Sequence, residues 1–221
     1  MKTLNKCCFI MLLTIVSSNL FAQESKQIQT PEEKAWMTYM TPGKMHEMLA
    51  KSVGLWNEEV TMWMAPDAPP MKSTLNCMNK MIMGNRYLQG MSRGQFSGMP
   101  FEGISTIAYD NAKNIFVSTW IDNMGTGISY SEGKWNDASK SIEFIGTMVD
   151  PMSGKDLKFR QVMKFKDDDN QSMEMYSTTA TGKEYKSMDI KMTRRQNPNM
   201  NNNNTVKQVP AAPPATPDDK K

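Results

Sequence analysis

The side chains able to do chemistry in this 221-residue chain are unevenly supplied: 23 Met, 3 Cys and 1 His. A lone imidazole, His46, rules out a multi-His metal cluster and leaves little for a Ser-His-Asp triad or a His general base. Three thiols build neither a disulfide framework nor a four-thiolate zinc site. Three Met-x-Met pairs, Met62/Met64, Met81/Met83 and Met173/Met175, each place two thioethers on one side of an extended strand. Thioethers are soft ligands suited to Cu(I). They equally fill irregular apolar space, and that plainer reading carries more weight here because no second His can add a nitrogen ligand. The expectation is therefore no metal and no cofactor.

Carboxylates are the remaining reactive groups. Glu102, Asp122, Glu143 and Glu174 lie on or at the ends of extended runs. Two of them meeting inside a fold would make an acid–base pair. Alternation puts Glu143 on a solvated face. Asp122 precedes Gly125-Thr126-Gly127 and reads equally as a turn residue or a site residue. Glu102 follows Pro100-Phe101 and is the stronger inward candidate. Asp167-Asp168-Asp169-Asn170 lacks the Gly and closing Glu of a calcium loop and reads as a hairpin turn. Gly125-Thr126-Gly127 is too short for a phosphate loop. Cys77 shares a strand face with Leu75 and Asn79 and reads as an inert core thiol. These residues favour binding over catalysis.

The elements that must position these groups follow from composition and period. Lys+Arg 26 against Asp+Glu 23 leaves no basic surface for nucleic acid. Residues 1–22 carry Lys2 and Lys6, then the apolar run Cys7–Val16, then small and polar residues up to Ala22. That is the order of a secretory signal peptide, and the run is too short to span a bilayer as a helix. The expectation is export to the periplasm or medium, with no transmembrane span after cleavage. Residues 23–41 are a mostly polar segment with a small apolar cluster at Trp36, Met37, Tyr39 and Met40 expected to pack on the domain. Residues 197–221, Asn-rich and then Pro/Ala-rich, read as a disordered tail.

Residues 42–196 form one domain. Thr41-Pro42 reads as a helix start, with Met45, Met48 and Leu49 on one side and Gly54 as the stop. After Gly54 the period becomes two, and turn signals separate ten runs: Gly54–Met64, Lys72–Met83, Arg86–Phe96, Phe101–Tyr109, Asn114–Asp122, Gly127–Trp135, Ser141–Val149, Leu157–Phe165, Ser172–Thr179 and Tyr185–Arg194. Leu157, Phe159, Met163 and Phe165 share one face with Gln161 among them, and Lys158, Arg160 and Lys164 share the other. One apolar face per strand and short connections predict an all-β fold, an antiparallel up-and-down barrel of about ten strands with a short N-terminal helix.

Two motifs carry a resemblance. Gly54-Leu55-Trp56 opens the first strand after a helix, and Arg194 ends the last. This is similar to lipocalins, in which an Arg packs over the Trp of a Gly-x-Trp and closes the barrel base. Met62-Trp63-Met64, Met99-Pro100-Phe101-Glu102-Gly103, Tyr109-Asp110-Asn111, Trp120-Ile121-Asp122-Asn123-Met124-Gly125-Thr126-Gly127 and Asp150-Pro151-Met152-Ser153-Gly154-Lys155 resemble the bacterial family catalogued as domain of unknown function 1579. The resemblance implies a ten-stranded, calycin-like barrel, similar in outline to fatty-acid-binding proteins and nitrobindins. It brings no established activity. The nitrobindin-like branch can hold haem through a barrel His; this chain departs there, since its only His lies on the N-terminal helix.

The reading that results is an exported barrel, monomeric or weakly dimeric, binding a small apolar or amphipathic ligand. Expected liners are Tyr87, Trp120, Tyr130, Phe159 and Met163, with Arg86, Glu102 or Gln161 as polar anchor and Asp122 at the edge. Gly54, Trp56 and Arg194 are expected to close the base. A packed barrel serving as an envelope interaction protein is the alternative; an enzyme built on Asp122 or Glu102 is a third reading.

Overall fold

A computed structural model describes residues 30–179 and 181–196; the expected signal peptide and C-terminal tail lie outside the described residues. Two helices, α1 (Pro31–Met40) and α2 (Lys44–Ala50), precede ten strands: β1 (Gly54–Met62), β2 (Met71–Ile82), β3 (Tyr87–Phe96), β4 (Met99–Asp110), β5 (Ile115–Asp122), β6 (Ser129–Asn136), β7 (Ser141–Val149), β8 (Asp156–Phe165), β9 (Asn170–Thr178) and β10 (Glu184–Arg194). Each strand pairs antiparallel with the next, and β10 returns to β1, closing the barrel. Closure removes the free edges that an open sheet would leave. The ten predicted runs recur within about two residues at each end.

The predicted helix is α2, but it starts at Gly43 rather than Thr41. Its cap is supplied by His46, whose Nδ1 accepts the Gly43 N–H at 3.1 Å. The single imidazole is thus consumed in helix structure, edge-on to Tyr109 with ring centroids 5.9 Å apart. A further helix, α1, arises in the segment read as polar. Thr30 and Glu33 form a reciprocal capping box and Pro31 opens the first turn. The Trp36-Met37-Tyr39-Met40 cluster stays exposed instead of packing on the barrel. What holds α1 is polar: Asn111 Nδ2 donates to the carbonyls of Thr38, Tyr39 and Thr41, and Arg86 Nη2 donates to that of Met40 at 2.6 Å.

The barrel has a filled base and a hollow upper half. At the base Leu49 of α2 enters a core of Leu88, Ile107, Phe116, Ile142, Phe144 and Met163. Beside it Trp56 is fully buried, its Nε1 donating to the Ser52 carbonyl at 2.9 Å. The Arg194 guanidinium lies over the indole, 4.3 Å from the ring centroid. The same guanidinium donates to the carbonyls of Lys51, Val53 and Asp168, tying the α2–β1 connection to the β8–β9 turn. Gly54 has φ +133°, and a Cβ there would lie 2.7 Å from Arg194 Nη1. The Gly-x-Trp spacing therefore has a local cause: glycine leaves room for the guanidinium that covers the tryptophan two residues on.

Outward faces are held by ion pairs. Glu174 on β9 bridges Lys164 of β8 and Lys186 of β10. Lys186, chiefly by hydrogen bonding, holds the Glu174 carboxyl down to about 2. A depressed carboxyl stabilises the fold above its unfolded value and loses that contribution as pH falls through the folded value. Acid titration of Glu174→Gln should therefore show a shallower loss of stability between about pH 4.5 and 2 than the parent. Identical acid profiles for the two proteins would contradict this role.

Candidate functional site

The upper half of the barrel encloses a cavity of about 320 Å³, within the range of small-molecule sites. Its wall is layered, and the layers follow from which residues alternate inward.

Sulfur and aromatic groups form the upper layer. Phe96, Phe101 and Trp120 run along β3, β4 and β5, with Phe101 stacked on Trp120 at 6.3 Å between centroids. Met62, Met173, Met175 and Met188 face them from β1, β9 and β10, and Phe159 comes from β8. Trp120 lies flat against Gly103, where a Cβ would fall 2.3 Å from the indole. Phe159 similarly covers Gly146. Glycine on the inner face is thus what admits a large ring beside the backbone.

The lower layer is polar. Ser92, Ser105, Ser118 and Ser131 stand on β3, β4, β5 and β6 and all line the cavity. They recur every thirteen residues along the chain. Ser118 and Ser131 are directly paired across β5 and β6, and Ser92 and Ser105 take inward positions on the two strands before them. Asn79 and Cys77 of β2 and Gln161 of β8 continue this layer, and Glu58 of β1 completes it. Glu58 is only 5% exposed. Burial pushes its carboxyl above the usual value, against a hydrogen bond from Ser92 that favours the ionised form. The Cys77 thiol donates to Asn79 Oδ1 at 3.3 Å and is pushed up to about 12, chiefly by burial. It is the inert thiol expected from its strand position, and a poor nucleophile.

Of the residues expected at the site, Trp120, Asp122, Phe159, Gln161 and Met163 line the cavity. Asp122 is both a turn and a site residue: its Oδ1 accepts the Met124 N–H at 2.9 Å and its Oδ2 accepts Trp120 Nε1 at 2.6 Å. It fixes the indole at the rim. Four expected liners lie elsewhere. Arg86 caps the β2–β3 turn through the Met83 and Gly84 carbonyls besides holding α1. Tyr87 and Tyr130 are exposed on the outside, and Tyr130 donates to Glu132 at 2.7 Å. Glu102 points outward and pairs with Arg93 at 2.9 Å, so it never meets Asp122 in the interior. The thioether pairs also divide. Met173 and Met175 both line the cavity, whereas Met64 and Met83 are exposed and separate from Met62 and Met81. Among the described residues no group of three or more His, Cys, Asp or Glu side chains is placed to hold a metal ion.

Sequence reasoning missed Glu58 and the four serines. The thirteen-residue interval was the available signal for the serines. For Glu58 it was the alternation Trp56, Glu58, Val60, Met62 along one strand face.

The family model described as protein of unknown function (DUF1579) matches residues 41–194. No curated protein matches the chain. Among solved structures it is similar to the crystal structure of Rv2717c from M. tuberculosis, with a TM-score of 0.53 and 12% identity, covering 71% of this chain and 100% of that one. It is also similar to the S-type phycobiliprotein lyase CPES from Guillardia theta, with a TM-score of 0.49 and 9% identity, covering 70% of this chain and 94% of that one. At these identities the likeness to Rv2717c concerns the fold alone.

Proposed function

We propose a ligand-binding function for this chain, which belongs to the DUF1579 family: the barrel takes up one small apolar or amphipathic molecule in its upper half. The observation that supports this reading is the cavity itself, about 320 Å³ walled by thioethers and aromatic rings above a belt of hydroxyl and amide groups. An apolar body gains by leaving water, at roughly 25 cal/mol per Å² buried. The polar belt gives the other end of the molecule partners and so fixes its orientation. Methionine suits such a wall because its unbranched chain adapts to different occupants. An envelope interaction protein with a filled barrel has no use for this space, and the separation of Glu102 from Asp122 weakens the enzyme reading.

The signal-peptide pattern of residues 1–22 supports a role outside the cytoplasm, as a carrier or scavenger of a poorly soluble molecule. Native mass spectrometry of the protein purified from its own host tests the reading. The expected result is a second species heavier by one small organic molecule, lost when the protein is denatured. A bare polypeptide mass, together with no uptake of added apolar molecules, would overturn it.

A further inference from the structure

We propose that the cavity selects uncharged amphiphiles whose polar head accepts hydrogen bonds, and that Glu58 is the residue setting this preference; the proposal rests on the binding reading above. Among the described residues no Lys, Arg or His lines the cavity, and its titratable liners are Glu58, Cys77 and Asp122. A ligand carboxylate would find two acids and no cation. Its desolvation would go unrepaid, which is the expensive outcome for a buried charge.

The two acids are not equivalent. Asp122, at the rim, already has both oxygens engaged by Trp120 and Met124. Glu58 sits at the cavity floor, more than nine-tenths buried. The elements packed against it present Cys77 and Leu75 from β2, Ser92 from β3 and Met192 from β10. Cys77 is the titratable group among these, and among the described residues no cation faces the carboxyl. Burial among these groups, with no cation in the cavity wall among the described residues, favours the acid form of Glu58 over the ionised one. An acid O–H is a donor, and the hydroxyls of Ser105 and Ser118 can add two more. Hydrogen-bond donors in the wall of an otherwise apolar chamber fit the oxygen of a ketone, ester or amide.

Three probes of one chain length separate the possibilities: 2-decanone, decanoate and decylamine, titrated calorimetrically into the full chain at pH 7. The proposal expects 2-decanone to bind at least tenfold more tightly than the other two. It also expects that affinity to fall as pH rises through the elevated Glu58 value, because the donor becomes an acceptor. In Glu58→Gln the amide keeps an N–H at every pH, so the pH dependence should vanish while the ketone still binds. Equal binding of decanoate, or tighter binding of decylamine, overturns the proposal and leaves the binding reading intact. Failure of all three probes overturns the binding reading itself. The parent comparison needs no variant, so it decides the matter even if Glu58→Gln folds poorly.

Discussion

Replacing Trp56 by Ala should lower the stability of the barrel by about 3–5 kcal/mol, the range for removing a large buried aromatic side chain. Trp56 is fully enclosed, and it supports two other structures at once. Its Nε1 satisfies the Ser52 carbonyl at the end of the helical plug, and its face seats the Arg194 guanidinium. Without the indole the guanidinium loses its cation–π partner, worth roughly 0.5–2 kcal/mol, and the three carbonyls it gathers lose a fixed donor. Arg194→Lys should cost less, about 1–3 kcal/mol, because an ammonium cannot span the Lys51, Val53 and Asp168 carbonyls together. The double variant should be less destabilised than the sum, since both lesions break one unit. Urea denaturation of the four proteins measures this. Additive losses, or a Trp56→Ala cost under about 1 kcal/mol, would contradict the role assigned to the base.

The second large effect is on binding. Ser118→Phe should abolish ligand uptake, lowering affinity by at least about 100-fold, or roughly 2.8 kcal/mol, while the barrel remains folded. Ser118 sits in the middle of the polar belt with its side chain facing the cavity. A phenyl ring there enters existing space, where overpacking costs least, and packs beside Ile107 and Phe159. It also removes one hydroxyl from the floor. Stability should stay within about 1 kcal/mol of the parent or rise, since a filled cavity regains lost contacts. A folded Ser118→Phe protein that binds as tightly as the parent would place the ligand elsewhere.

The strands, the Gly54-Trp56-Arg194 closure and the inward faces of β5 and β8 were legible because period two and turn residues report directly on an alternating sheet. The inner face of β8 is apolar at Phe159 and Met163 with Gln161 between, and all three line the cavity. The faces of β3, β4 and β6 were misread for a physical reason. A hollow barrel needs small inward residues where it is empty. On β3 the inward positions are Leu88, Gly90 and Ser92 while Tyr87 lies outside; on β6 they are Ser131 and Gly133 while Tyr130 lies outside. A rule that assigns apolar residues inward therefore inverts these strands and selects Tyr87 and Tyr130. Glu102 was selected for its place after Pro100-Phe101, yet Phe101 is the inward residue and its neighbour must point out. Helix α1 was hidden because its residues serve a polar cap rather than a buried face.

Whether the upper half of the barrel holds one small molecule is decided by calorimetric titration of the parent and Ser118→Phe proteins, side by side, with 2-decanone, decanoate and decylamine. Saturable binding of one equivalent of at least one probe by the parent, and none by the variant, is the expected result. Heat that is absent from the parent for all three probes, or unsaturable and equal in both proteins, would rule out a ligand in the barrel.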